Sequence, residues 1–343
     1  MKIAVNHLGF RPQDREKKAV IWGEKEFNEF QIVNLGEMGY NEIGPNSQPN
    51  RIIYHGKLAK QSYEWGTYYI ADFSDFSLPG IYLITLNNEY NSAPFHIRED
   101  LYSRTLRKAF DYIHYQRCGQ AVPGYHGPCH LDDARRRDTG EHVDTTGGWH
   151  DAGDLRKWVA HTMLLGISII QIKRLVDPRW DVFNRNEGDV LEELRWGNQF
   201  FLKVQEPNGL VWHDVAGGVN GDNSDNHWTD NQIGTADDRY INPMFHPVVQ
   251  WEFICFEAMV ANVFKNTDPD YSNQCLQAAL RTNEFMNDKP NNRPEEMAWA
   301  VLALLELYKM SGNADIISRL KKELTLLLDL QESEYRFGQQ KVR

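Results

Sequence analysis

The chain has 343 residues, 41% hydrophobic and 25% charged, the composition of a folded globular protein long enough for two domains. Its 48 acidic side chains outnumber 37 basic ones for a formal net charge of -11, which argues against a nucleic-acid partner, because affinity for phosphate backbones is built on lysine and arginine. Four cysteines are too few for a disulfide framework, and no apolar run reaches the roughly 20 residues that cross a bilayer, so a membrane span is not expected.

The first six residues enter an alternating strand pattern at once, with no apolar leader or small-residue cleavage site, so the expected location is cytoplasmic unless a leader was removed. Short β-rich runs follow at 2–6, 18–22, 29–34, 51–55, 67–71, 81–87 and 94–97. Gly9, Gly36, Gly44-Pro45, Gly56 and Pro79-Gly80 fall between them, where chain reversals need permissive or preset φ. The pattern predicts a β-sandwich over residues 1–98. Beyond Arg98-Glu99-Asp100 the apolar spacing changes to i, i+3, i+4, and helices are expected at 101–115, 155–175, 190–204, 247–264, 271–286, 295–310 and 314–330. Residues 99–343 therefore read as an all-α domain. The connection from 208 to 243 is too long for a simple link, and long loops in compact domains tend to carry function.

Chemistry concentrates just before the helix expected at Leu155. Asp151 and Asp154, three residues apart at a helix start, could both face one cavity, where free N–H groups stabilise carboxylates. A lone D-x-x-D is more often only an N-cap, and Asp154 admits that reading. Upstream, Cys118, Cys129, His130 and His150 offer two thiolates and two imidazoles, the ligand set of tetrahedral zinc; His142 is the rival for the fourth place. Read otherwise, these cysteines are small buried hydrophobes, as Cys255 and Cys275 are in their apolar helices. The long loop mixes rings and hydrogen-bonding groups in Trp212-His213-Asp214, Asp225-Asn226-His227-Trp228 and Asp237-Asp238-Arg239-Tyr240, the two kinds of group that sugars need. Its acidic residues could also hold Ca²⁺ through oxygen ligands, although no EF-hand spacing is present.

The string Gly147-Gly148-Trp149-His150-Asp151-Ala152-Gly153-Asp154 resembles glycoside hydrolase family 9. Ile3-Ala4-Val5-Asn6-His7-Leu8-Gly9-Phe10-Arg11-Pro12 is similar to the opening strand of the immunoglobulin-like module that precedes many of its catalytic domains. The resemblance implies an immunoglobulin-like β-sandwich, residues 1–98, followed by an (α/α)6 barrel that cleaves β-1,4-glucosidic bonds with inversion. In that reading Asp154 is the general base and Asp151 holds the water. Trp212, His213, Trp228 and Tyr240 would line the subsites for a β-linked oligosaccharide or polysaccharide. A structural zinc is implied on Cys118, Cys129, His130 and His150, since Cys129-His130-Leu131-Asp132-Asp133 looks like the family's zinc segment and His150 replaces the Tyr of zinc-free relatives.

The chain departs from the family at its end. The family's acid is a late glutamate after a histidine- and arginine-containing signature, which residues 331–343 lack, and seven helices fall short of the twelve that six hairpins require. The expectation is an incomplete barrel, with the acid beyond Arg343. Glu295 and Glu296 read as the acidic first turn of a helix. The alternatives are an exo-β-glucosaminidase acting on chitosan oligosaccharides, or a non-catalytic sugar-binding or structural protein.

Overall fold

The computed structural model describes residues 1–36, 51–64, 66–175, 190–217 and 229–340. In β2, Lys18–Trp22, every second side chain is buried, the period-two pattern of a strand with one face in a core. The other strands of this region are β1, Lys2–Ala4; β3, Glu29–Gly36; β4, Arg51–Tyr63; β5, Gly66–Asp72; β6, Gly80–Leu86; β7, Tyr90–Asn91; and β8, Phe95–Ile97. They pair in the order β1-β2-β5-β4-β3-β6-β7, with β8 also on β6, and all of these pairings are antiparallel.

β4 belongs to both halves of this sheet. Its first part pairs with β3 and its last part, from Leu58, with β5. Residues from both halves, including Ala19, Ile21, Phe30, Ile32, Tyr69, Ala71, Tyr82 and Ile84, meet in one core, so the sheet doubles over as a sandwich. The sequence pattern ends this strand at His55 because Gly56 reads as a turn. In the structure Gly56 lies within β4 opposite Phe30, and a Cβ there would come within 2.3 Å of the Phe30 ring. Glycine is required at this point for close approach, not for reversal.

The chain divides into two compact units, Met1–Arg107 and Lys108–Arg343. Helices among the described residues are α1, Ser103–Tyr115; α2, Val159–Leu175; α3, Val190–Lys203; α4, Pro247–Phe264; α5, Pro269–Phe285; α6, Pro294–Ser311; and α7, Ala314–Gln340. Three of them, α4, α5 and α6, open with proline, whose fixed φ suits the first helical position and whose missing N–H is not needed there. α4 is buried on nearly every side; α2, α5 and α6 pack against it, and α7 packs on α6. No helix among the described residues is long and apolar enough to cross a membrane.

Residues 99–343 are not all-α as the pattern predicts, because a small sheet ties the helical unit's long connections together through pairings between distant segments. β9, Arg135–Arg136; β10, Lys157–Trp158; β11, Asp214–Ala216; and β12, Tyr240–Asn242 pair in the order β10-β11-β12-β9. It also moves a helix start. α2 begins at Val159 rather than Leu155, because Lys157 and Trp158 pair with Val215 and Asp214 and extend the backbone. Leu155 has φ of 60°. Asp154 is therefore not the N-cap of α2, and α2's dipole does not explain its carboxylate.

Close packing sets one measurable limit. A Cβ at Gly197 on α3 would lie 1.9 Å from the buried Trp149 indole, so Gly197→Ala should destabilise the helical unit by about 1–3 kcal/mol, because a well-packed core yields little. Urea unfolding followed by tryptophan fluorescence checks this, and an unchanged midpoint would contradict it.

Candidate active site and metal centre

Backbone hydrogen bonds gather the segments that carry the thiols and imidazoles. Cys118 N donates to Gly148 O at 2.9 Å, Gly119 N to Cys129 O at 3.0 Å, and His150 N to Gln116 O at 2.8 Å. As a result, one ligand atom from each of Cys118, Cys129, His130 and His150 lies within 4.8 Å of the others. Cys129 Sγ is 3.8 Å from His150 Nε2. Both ring nitrogens of His130 are buried without a hydrogen-bond partner, a costly state that a metal ion would relieve. The donor set and its burial fit zinc. His142 is engaged elsewhere, with Nε2 3.2 Å from Asp132 O.

Burial alone would push the Cys118 thiol up, yet Cys129, Lys157 and the neighbouring imidazoles hold it well below its ordinary value. Its partner Cys129 moves upward, chiefly through the hydrogen bond with Cys118. Burial lowers His150, leaving a neutral imidazole suited to ligation.

Beside this centre lies a buried ion triad. Asp133 is completely buried; Lys157 Nζ is 2.6 Å from its Oδ2, and Arg239 Nε and Nη2 donate to its two oxygens at 2.8 and 2.6 Å. The cations also hold the loop that carries the carboxylates. Lys157 Nζ donates to Thr145 O at 2.7 Å and Gly147 O at 3.2 Å, and Arg239 Nη1 donates to Leu155 O. Both sides of the 145–157 segment are therefore anchored to one carboxylate.

Asp151 and Asp154 lie in that segment, both half-buried. Asp151 N donates to Arg156 O at 2.9 Å, and the Tyr112 hydroxyl donates to Asp151 O at 3.2 Å. Its Oδ1 is buried with no partner, while Oδ2 is 3.7 Å from His161 Nδ1. Burial, then the charge of Asp154, pushes the Asp151 carboxyl up. Arg156 N approaches Asp154 Oδ1 at 3.5 Å. This arrangement offers two adjacent carboxyl groups, one with an unfilled acceptor.

Rings and charges extend from this loop. Arg156 lies over the Trp158 ring at 4.1 Å and donates to Asp214 Oδ2 at 3.1 and 2.6 Å. Asp214 Oδ1 is 2.9 Å from His213 Nδ1, and the His213 ring sits 4.9 Å from Trp158 and 5.4 Å from His246. His213 thus joins the carboxylate loop. Trp212 lies in the hydrophobic core, its indole N–H bonded to Glu206 and its ring under Arg136. Tyr240 is half-buried on β12 with Arg137 against its ring. Trp228 falls outside the described residues.

Sequence reasoning passed over Arg156 and Lys157, and quoted Asp133, Asp214 and Arg239 within motifs without giving them individual roles. Their signal was a charge beside each motif already noticed, which by itself reads as a solvated surface. A second cluster, Asp132, Asp230 and Asp237, brings three carboxylates within 4.8 Å, with Thr229 and Thr235 hydroxyls donating to them. This oxygen-only set is of the kind hard divalent cations take.

A family model described as Glycosyl hydrolase family 9 matches residues 102–328. Endoglucanase D of Acetivibrio thermocellus is 28% identical over 317 residues, covering 85% of this chain and 46% of that protein. Cellodextrinase of Butyrivibrio fibrisolvens is 28% identical over 311 residues, covering 84% and 52%. The chain spans about half the length of these curated relatives. Among solved structures, a metagenome-derived family 9 endoglucanase aligns with TM-score 0.68 at 23% identity, covering 94% of this chain and 64% of that one. A zinc-binding triple mutant of the family 9 endoglucanase J30 aligns with TM-score 0.66 at 24% identity, covering 91% and 62%. At these identities the structural likeness speaks for the fold.

The ion triad makes a sharp prediction. Asp133→Asn leaves Lys157 and Arg239 buried without their counter-charge and should cost about 3–5 kcal/mol in urea unfolding at neutral pH. Burial raises the Asp133 carboxyl, but Arg239 and Lys157 outweigh it and the net shift is downward. A depressed carboxylate contributes stability above its unfolded value, about 3.9, and loses it as pH falls through the folded one. Wild type should therefore lose this increment only below about pH 4, and a variant with equal stability at pH 7 would refute the anchoring role.

Proposed function

The chain belongs to glycoside hydrolase family 9, and on that premise we propose that it serves hydrolysis of β-1,4-glucosidic bonds in a glucan or gluco-oligosaccharide, with inversion. The observation that carries this reading is the pair Asp151 and Asp154 on a loop anchored by buried ions. Asp154 acts as the general base on the attacking water. Asp151, with its unfilled Oδ1, is the second acceptor that orients the water. His213, held by Asp214 beside Trp158, and Tyr240 contact the sugar, and Trp228 remains a subsite candidate from the sequence; Trp212, expected there as well, is buried in the core and is not assigned to a subsite.

Inversion also needs a protonated carboxyl about 6.5–9.5 Å across the bond from the base. None of the described residues is assigned that role. Glu296 opens α6 and accepts from the Asn292 and Arg293 backbones and the Arg293 guanidinium, so it caps that helix; Glu295 lies in the same first turn. We read the two parts as an immunoglobulin-like module, 1–98, and the N-terminal portion of an (α/α)6 barrel, 99–343.

Zinc on Cys118, Cys129, His130 and His150 would staple the segments that precede the carboxylate loop, adding folding free energy. Chelation should then remove about one metal equivalent and lower the melting temperature, as should Cys129→Ala. Metal analysis without zinc, together with unchanged melting after chelation, would end the zinc assignment.

The catalytic assignment is tested in the enzyme that carries this chain. Cello-oligosaccharide hydrolysis followed by proton NMR should yield the α-anomer first. Asp154→Asn should lower turnover by about 10²–10⁴ while oligosaccharide binding persists. A β-anomer as first product sinks the inverting mechanism, and near wild-type turnover by Asp154→Asn sinks the base.

A further inference from the structure

Two thiols stand side by side in the metal centre. The Sγ atoms of Cys118 and Cys129 belong to the group whose ligand atoms all lie within 4.8 Å of one another. Their backbones are neighbours as well, because Gly119 N donates to Cys129 O at 3.0 Å and Cys118 Sγ is 4.0 Å from that same oxygen. A disulfide requires Cα atoms about 4.4–6.8 Å apart and side chains that point toward each other. Sulfurs within 4.8 Å of each other, on backbones joined by the Gly119–Cys129 hydrogen bond, must close further to form the bond. Neither cysteine is in a disulfide.

The two sulfurs differ in access. Cys118 is fully buried, whereas Cys129 is half-buried and can be reached by a small oxidant. Arg239 Nη2 lies 3.9 Å from Cys118 Sγ, keeping positive charge beside the inner sulfur. Cys255 and Cys275 sit buried in α4 and α5, where Cys255 approaches Met259 Sδ and Asn198 donates to Cys275. Buried thiols in apolar helices are poor nucleophiles.

We propose that the centre is a two-electron redox switch, in which hydrogen peroxide converts the paired thiolates of Cys118 and Cys129 to a disulfide and the zinc is released. The inference rests on the zinc reading of this donor set. Cys129 sulfur attacks a peroxide oxygen; the O–O bond breaks, hydroxide leaves and takes a solvent proton, and Cys129 becomes a sulfenic acid. Cys118 sulfur then attacks the Cys129 sulfur; the S–S bond forms, the S–O bond breaks, and the second hydroxide is protonated to water. The two thiolates lose two electrons, peroxide gains them, and two protons come from solvent.

With both thiolates gone, His130 and His150 alone cannot fill a tetrahedral site. The consequence reaches the carboxylates, since His150 directly precedes Asp151 and Cys118 N is bonded to Gly148 O in the same segment. Oxidation should loosen the loop that carries Asp151 and Asp154. Reduction in the presence of zinc should restore it.

The test uses the whole chain, zinc-loaded and, in parallel, metal-free, treated with hydrogen peroxide. Of the four thiols, two should disappear when counted under denaturing conditions, the mass should fall by two hydrogens, and peptide mapping should link Cys118 to Cys129. A chromogenic chelator should register one equivalent of zinc from the loaded form, and dithiothreitol with zinc should reverse the change. Cys118→Ser should instead leave a dimedone-reactive sulfenic acid on Cys129, and the Cys255→Ser, Cys275→Ser double variant should behave as wild type. Four surviving thiols, oxidation to sulfinic acid without a link, or a link through Cys255 or Cys275 would each overturn the switch. A chain that takes up no zinc overturns the zinc reading instead, and the metal-free arm then decides the thiol pair alone: a Cys118–Cys129 link keeps it, and no link removes it.

Discussion

A fully buried carboxylate between two buried cations is the constraint on which the helical unit's working end depends. Asp133, Lys157 and Arg239 lie far apart in the chain, and taking their charges out of water is costly unless each is paired and its remaining hydrogen bonds are filled. Both conditions are met here. The protons that do not reach Asp133 go to the carbonyls of Thr145, Gly147 and Leu155, so neutralising the charges also fixes the loop. Nothing inside the 145–157 segment could hold it as firmly, since glycines at 147, 148 and 153 leave the backbone free.

The candidate metal centre and the triad share this architecture. Arg239 touches both, reaching Cys118 with one nitrogen and Asp133 with others. A third support comes from Glu193 on α3, which is buried and accepts from the Trp149 indole at 2.8 Å and from Arg117 Nε at 3.1 Å. Trp149 precedes His150 and Arg117 precedes Cys118. Two of the candidate ligands, Cys118 and His150, are thus positioned through their chain neighbours, and Gly197 leaves room for the Trp149 ring. The Asp151 carboxyl can remain raised, with its Oδ1 unfilled, because its surroundings are held by other residues.

Sequence patterning carried far in this protein because much of its structure is locally encoded. Most period-two runs and i, i+3, i+4 runs became strands and helices close to their expected limits, since side-chain direction depends only on the nearest few residues, although β4 runs on to Tyr63 and α7 to Gln340. The Cys118, Cys129, His130 and His150 set was legible from the chemistry of its residue types, and the family from an eight-residue string. The exceptions are informative: Gly56, read as a turn, pairs with Phe30 inside β4, and Leu155, read as a helix start, precedes Lys157 and Trp158, which pair with Val215 and Asp214.

By itself, then, the sequence determined the class of the main strands and helices, the two-part organisation, the family and the residue types that can ligate or ionise, but not the small sheet β9–β12. The tertiary structure alone decided that Trp212 turns into the core while His213 beside it joins the carboxylate loop, the backbone N–H of the first bonding to Val204 O and that of the second to Asn242 O. It alone selected Asp133, Lys157 and Arg239 from the chain's many charged residues as buried partners. Periodicity is a local property that any window of sequence displays, whereas the pairing of charges separated by up to 106 positions exists only once folding has excluded the water between them.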